Sequence, residues 1–254
     1  MKRKGVRVWL VGAGPGDPEL LTLKAARVLA SADVVVHDHL VAPEILARIP
    51  KRAERIYAGK ERGRHTMKQE EINRLLVRLA RKGKRVVRLK GGDRFIFGRG
   101  GEEALALARA GVACEVIPGI TAATGVAAAA GIPLTHRGLA QACVLVTAAR
   151  RKGAPELDWK GLARPGQTIV VYMGLTGLER VSRQLIAHGL SPRTPAAIIQ
   201  QGTMKGQRVV EGTLAALPRL AAEAKLRAPT LIVIGKVVRL RRALARQPLK
   251  KLRA

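Results

Sequence analysis

Three short stretches of this sequence bring glycine and charge together in ways that could serve a ligand. Lys90-Gly91-Gly92-Asp93 follows an apolar run from Arg85 to Leu89. Ligands of open α/β sheets bind outside the carboxyl ends of strands. Two glycines there allow close backbone approach, and the neighbouring carboxylate can accept from a hydroxyl or an ammonium group. An ordinary Gly-Gly-Asp turn would read the same from local residues alone. A second stretch, Gly98-Arg99-Gly100-Gly101-Glu102-Glu103, sets one arginine among three glycines. Its guanidinium could fork onto a carboxylate, although a basic loop ahead of an acid-capped helix is the plainer reading. The third, Gly12-Ala13-Gly14-Pro15-Gly16-Asp17, follows the first apolar run. It fails the dinucleotide fingerprint, because the third glycine would fall on Asp17. Pro15 removes an N–H that could face a phosphate, and an acid at a helix start repels one. A loop for an uncharged or cationic part of a cofactor, or a tight strand-to-helix turn, remains.

Other chemistries are disfavoured. Neither Lys60 nor Lys90 has the glycine spacing and hydroxyl of a P-loop. The five histidines form no HExxH pattern, and His37-Asp38-His39 has no further metal ligand placed with it. Cys114 and Cys143 form no CxxC pair, so neither a metal site nor a disulfide framework is expected, and two lone cysteines suit a reducing cytoplasm.

The elements that must position these residues alternate. Strands are predicted at Val6 to Val11, Val34 to Val36, Arg85 to Leu89 and Val112 to Ile117. Between them, Asp17-Pro18-Glu19 reads as a helix start, with Leu21, Ala25, Val28 and Leu29 on one face. Thr66 with Gln69 reads as a capping box before the stripe Ile72, Leu75, Leu76 and Leu79. Helices are also predicted from Gly101 to Ala110 and from Thr121. This rhythm predicts a parallel α/β sheet. The segment Gly131 to Gly138 breaks it and marks the linker, giving an N-terminal α/β domain over 1–134. In the C-terminal α/β domain, 135–240, strands are predicted at Ala142 to Ala148, Thr168 to Met173, Pro195 to Ile199, Gln207 to Gly212 and Leu231 to Ile234, with helices at Leu178 to His188 and Leu214 to Ala224. The short connection between Ile199 and Gln207 predicts an antiparallel pair, hence a mixed sheet.

Charge is the unusual feature: Lys+Arg 47 against Asp+Glu 18, net +29 over 254 residues. Such an excess speaks to partners rather than to fold, and nucleic acid, an anionic membrane surface and a polyanionic small molecule all fit it. Residues 241–254 read as a solvated basic tail. The longest uncharged apolar stretch, Ile120 to Leu134, is too short and too weakly apolar to span a membrane. The opening residues do not read as a signal peptide.

Taken in order, the motifs resemble the uroporphyrinogen-III C-methyltransferases of the tetrapyrrole methylase family. The similar segments are Val11 to Pro18 with Leu21 to Ala25, Ala32 to Val36 with Asp38, Gly59-Lys60, Val87 to Asp93 through Phe97 to Glu103, Pro118 to Thr121, Gly131 to Gly138, Tyr172 to Gly174, and Gly202-Thr203. The resemblance runs from about residue 6 to 240. It implies the two-domain tetrapyrrole-methylase fold, a cytoplasmic homodimer with no membrane or nucleic-acid partner, and S-adenosyl-L-methionine as methyl donor, without a metal, in a cleft between the domains. It implies successive methylation of two pyrrole-ring carbons of uroporphyrinogen III to precorrin-2, on the routes to sirohaem and cobalamin. By position it places the cofactor against Pro15, Gly91, Gly92, Asp93, Ile96, Thr121, Ala122, Met173 and Gly202. It makes Asp38 and Lys60 the acid/base candidates and turns Arg99, Glu102 and Arg137 to the substrate. His37, Glu61, Arg94, Ala122 and Lys236 depart from the family's usual Tyr, Arg, Pro, Ser and Glu.

Methyl transfer from a sulfonium needs in-line placement of donor and acceptor above all, which contributes on the order of several kcal/mol. The one proton that must leave the macrocycle calls for a general base, a contribution of roughly a hundredfold to ten-thousandfold. The eight carboxylates of uroporphyrinogen III give the basic balance a second reading, as a field that attracts the substrate. Competing readings are a same-fold methylase acting on a later corrin precursor or on ribosomal RNA, and a non-enzymatic basic RNA-binding protein. Six aromatic residues leave the last little with which to stack bases.

Overall fold

The computed structural model describes residues 5–59, 67–149 and 156–244. The chain divides into two compact units, Met1–Ala122 and Ala123–Ala254. The division falls after Ala122, the first residue of the Ala-rich helix, whereas the sequence reading ends the first domain at Leu134.

The first unit runs β1 (Val8–Gly12), α1 (Leu23–Ala30), β2 (Val34–His37), α2 (Pro43–Leu46), β3 (Glu54–Tyr57), α3 (Gln69–Arg81), β4 (Val86–Lys90), α4 (Gly100–Arg109) and β5 (Cys114–Ile117). Its five strands pair in the order β3-β2-β4-β1-β5, every pair parallel. The chain leaving β1 goes to β2, towards one edge, and the chain leaving adjacent β4 goes to β5, at the other. Loops that part in this way at strand carboxyl ends are where such sheets hold ligands. Helix α3 forms because Ile72, Leu75, Leu76 and Leu79 recur at helical spacing. All four are buried with Val8, Leu10, Val34, Val36 and Val86 of the sheet and Leu107 of α4, each large aliphatic side chain contributing about 1.5–3 kcal/mol.

Two helix starts differ from expectation. Asp17 caps only a 3-10 turn, Pro18–Leu20, its Oδ1 accepting from Glu19 N at 2.9 Å. Leu21 is extended, so α1 begins afresh with Thr22, whose Oγ1 accepts from Ala25 N at 3.2 Å. At α3 the first turn is closed by Glu71, which accepts from Lys68 N at 2.5 Å; Thr66 lies outside the described residues. Strand β3 was absent from the sequence reading. It is an edge strand whose Glu54 and Arg55 are exposed, so it carries no apolar run.

The second unit comprises α5 (Ala122–Ala129), β6 (Ala142–Thr147), α6 (Trp159–Leu162), β7 (Gln167–Tyr172), α7 (Leu178–Ala187), β8 (Pro195–Gln200), β9 (Arg208–Thr213), α8 (Leu217–Glu223), β10 (Thr230–Ile234) and α9 (Leu240–Leu244). Its sheet has the order β6-β7-β10-β8-β9. Only β6 and β7 are parallel; β7–β10, β10–β8 and β8–β9 are antiparallel, giving the mixed sheet that the sequence predicted. The stretch taken as a free basic tail begins as α9, where Arg241 Nη1 pairs with Glu211 Oε1 and Arg242 Nε lies 3.6 Å from Glu211 Oε2. Among the described residues no helix is long and apolar enough to cross a membrane.

Candidate active site

The carboxyl ends of β1, β4 and β5 meet through glycine. Ala13 N donates to Lys90 O at 2.8 Å, and Gly14 and Gly92 exchange hydrogen bonds, Gly92 N to Gly14 O at 2.7 Å and Gly14 N to Gly92 O at 3.2 Å. Gly12 admits no side chain. A Cβ there would lie 2.6 Å from both Gly119 N and Gly92 O. Gly91 is pressed against the loop after β2, its would-be Cβ 2.8 Å from Leu40 O. Gly92 instead has φ +70° and nothing within 4 Å of its Cβ position. The turn is thus packed on its inner side and open at Gly92, so a ligand can come against bare backbone. Pro15, half-buried, continues the facing loop.

Asp93 does more structural work than its sequence context suggested. Its Oδ1 accepts from Phe95 N at 2.7 Å and Ile96 N at 3.2 Å, and its Oδ2 accepts from Gly119 N at 3.0 Å. A carboxylate has about four acceptor positions, so stitching these loops together leaves room for about one further donor. Ile96 is exposed beside it.

Arg99 and Glu102 come together, but on each other. Arg99 Nε donates to Glu102 Oε1 at 2.8 Å and Nη2 to Oε2 at 2.7 Å, a forked pair about half exposed on both sides. The hydrogen bonds from Arg99 to Glu102 raise the guanidinium further above its ordinary value. Arg99 holds a left-handed backbone, φ +60°, at the N-cap of α4.

Beneath this loop lies a buried polar cluster that the sequence reading did not find. Glu103, in the first turn of α4, pairs with Arg94 Nη2, accepts from Arg88 Nε at 3.3 Å, and accepts from Gln69 Nε2 at 3.1 Å. Arg94 is fully buried. Although it directly follows Asp93, its side chain turns inward to Glu103. Lys90 Nζ donates to Gly98 O at 3.3 Å and stands 3.9 Å from Asp38 Oδ2, and burial pulls its ammonium below the ordinary lysine value. Asp38, buried at the end of β2, also accepts from Leu40 N at 3.2 Å. Arg88 and Lys90 in an otherwise apolar strand, with Glu103 just past a glycine pair, are the only traces this cluster leaves in the sequence. Lys60 and Glu61 lie outside the described residues.

Within the second unit, Tyr172 at the end of β7 accepts through its hydroxyl from Ala123 N at 2.8 Å and so caps α5, the helix that Thr121 and Ala122 lead into. Met173 follows Tyr172 with φ +51° and is half exposed. Gly202 packs its bare Cα against Val126 of the same helix. Gly202 thus lies against α5, and Met173 directly follows the tyrosine that caps it. Arg137 is exposed in a tight turn closed by His136 N donating to Ala140 O at 3.0 Å. Among the described residues no three His, Cys, Asp or Glu side chains gather as a metal site.

A parallel sheet with an open glycine turn at its strand ends, followed by a mixed sheet, is the architecture of a known class of proteins. The Tetrapyrrole (Corrin/Porphyrin) Methylases match residues 7–218, and the chain belongs to that family. It is 63% identical over 238 residues to the siroheme synthase of Nitrosospira multiformis, which covers 94% of this chain and 50% of that protein. The chain spans about half the length of such curated relatives. Among solved structures, the uroporphyrin-III C-methyl transferase of Thermus thermophilus complexed with S-adenyl homocysteine is 45% identical, covers 92% of this chain and 99% of its own, and superposes with a TM-score of 0.79. Cobalt precorrin-4 methyltransferase is 31% identical, covers 91% and 95%, and gives 0.81.

Proposed function

We propose that this chain methylates two pyrrole-ring carbons of uroporphyrinogen III in succession, with S-adenosylmethionine as donor, giving precorrin-2 for sirohaem and cobalamin synthesis. The observation that carries this reading is the 45% identity, over 99% of its length, to a uroporphyrin-III C-methyl transferase that binds S-adenyl homocysteine. The strand-end turn fits such a group: Gly92 is bare, and Asp93 retains about one acceptor position. Pro15, Gly91, Gly92, Asp93, Ile96, Thr121, Ala122, Met173 and Gly202 would hold the cofactor. When bound, S-adenosylmethionine would supply an electrophilic methyl group.

The chain's own work is placement and charge. Arg99, whose Nε and Nη2 are held by Glu102, offers its remaining N–H donors to a substrate carboxylate, and Arg137 offers a second exposed guanidinium. Asp38 takes the proton the macrocycle releases after methylation, and Lys60 is the other acid/base candidate. Assembly as a homodimer and residence in the cytoplasm belong to the same reading. Mass spectrometry of the protein mixed with uroporphyrinogen III and S-adenosylmethionine tests it. Two added methyl groups are expected. An unmodified substrate, alongside methylation of a later corrin precursor, would transfer the assignment to that class.

A further inference from the structure

The loop between β4 and α4 is organised around Arg94. Gly100 N donates to Arg94 O at 2.9 Å, and Arg94 Nη1 donates to Gly98 O at 3.2 Å. Would-be Cβ atoms on Gly98 and Gly100 would lie 2.6 Å and 2.5 Å from Arg94 O. Between and before these glycines, Phe97 and Arg99 hold φ +51° and +60°, conformations that persist only where surroundings enforce them. The same Arg94 side chain reaches Glu103 in the first turn of α4. One residue thus grips the loop by its main chain, by its middle and through the helix that follows.

Stability does not account for it. Among the described residues, Arg88, Lys90 and Arg94 face two acids in this cluster, Asp38 and Glu103. Without Arg94 the charges balance, and Glu103 keeps Arg88 and Gln69 as partners. Arg94 Nε is buried without a partner. Removing one partner of a buried ion pair destabilises where it strands the other charge; here Glu103 would still face the Arg88 guanidinium.

We propose that Arg94 is a positioning residue for substrate binding: it holds the left-handed turn that presents the Arg99–Glu102 pair, and it acts through Arg99. The inference rests on the functional reading above. The test is a double-mutant cycle read by fluorescence titration of uroporphyrin III, the oxidised octacarboxylate, with S-adenosylhomocysteine affinity measured in parallel by calorimetry. Arg94→Met should weaken uroporphyrin III binding roughly tenfold, as for one lost charge-assisted contact, while the homocysteine product binds within about twofold of wild type. In an Arg99→Ala background, Arg94→Met should have no further effect on porphyrin binding, because the group it positions is gone. Arg94→Lys, which keeps the charge but not the fork, should fall between wild type and Arg94→Met, and it carries the same cycle if Arg94→Met does not fold. Additive losses in the Arg99→Ala background, or equal losses of both ligands, would overturn the inference. If wild-type protein binds no uroporphyrin III, it is the functional reading that has failed; if wild type binds and the cycle is additive, only the role of Arg94 has.

Discussion

Gly12→Ala probes the glycine contact on which the candidate site is built. The added methyl would meet Gly119 N and Gly92 O at 2.6 Å and Gly119 Cα at 2.8 Å. All three are backbone atoms, so no side chain can swing aside. Restoring ordinary contact requires the loops after β4 and β5 to move by roughly 0.8 Å, an overpacking that costs typically about 1–3 kcal/mol. For a chain of this size each kcal/mol lowers Tm by about 2–4 °C, so a fall of roughly 2–12 °C is expected. The displaced segment contains Gly92 and is tied to Asp93 through Gly119 N, so affinity for S-adenosylhomocysteine should fall with Tm. Thermal melting by circular dichroism and calorimetric titration on one preparation read both. Gly101→Ala is the control. Its methyl meets nothing within 4 Å in the first turn of a helix, and Tm should hold or rise. A Gly12→Ala protein with wild-type Tm and wild-type product affinity would refute the argument that these strand ends touch and cradle the cofactor.

Arg99→Ala and Arg137→Ala should each weaken uroporphyrinogen III binding by roughly 10- to 150-fold, the loss of one charge-assisted pair, with cofactor affinity near wild type; kinetic titration against each ligand separates the two. Asp93→Ala should do the reverse and lower stability as well, since Phe95, Ile96 and Gly119 lose their acceptor, whereas Asp93→Asn, which keeps one carbonyl oxygen, should be milder in melting and calorimetry. Hydrogen bonds from the Arg85 side chain and backbone hold the Asp33 carboxyl at about 2, below its ordinary value. A depressed carboxyl stabilises the fold above its unfolded pKa and loses that contribution as pH falls through the folded value. Asp33→Asn should therefore lower the urea midpoint at pH 7 by a small amount, with the gap closing as the acid series approaches pH 2. Burial raises the thiols of Cys114 and Cys143 above the ordinary cysteine value, so iodoacetamide at neutral pH should label both more slowly than a free thiol, by mass spectrometry, and faster once urea unfolds the chain.

The apolar periodicities of this chain determined its strands and helices, and with them a parallel sheet followed by a mixed one. A side chain's burial follows from period 2 or 3.6, which any stretch of sequence displays. The sequence also placed the glycine turn at Gly91-Gly92-Asp93, since a bare, charged turn after an apolar strand sits at a strand end by construction. Strand β3 escaped because an edge strand buries little and leaves no apolar signature. Helix α1 was displaced by one turn because Thr22 competes with Asp17 as cap, and only the packed chain selects between them. What folding alone decided was pairing. Arg88, Arg94 and Glu103 are separated by a glycine loop and a helix start, and nothing in their spacing says that they meet out of water. Likewise, Arg99 reads as a free guanidinium until α4 turns Glu102 back onto it, and Asp93 as a ligand group until β5 brings Gly119 N within reach. Charge and hydrogen-bond partners are chosen by distance in space, to which distance along the chain is a poor guide once a sheet crossover intervenes.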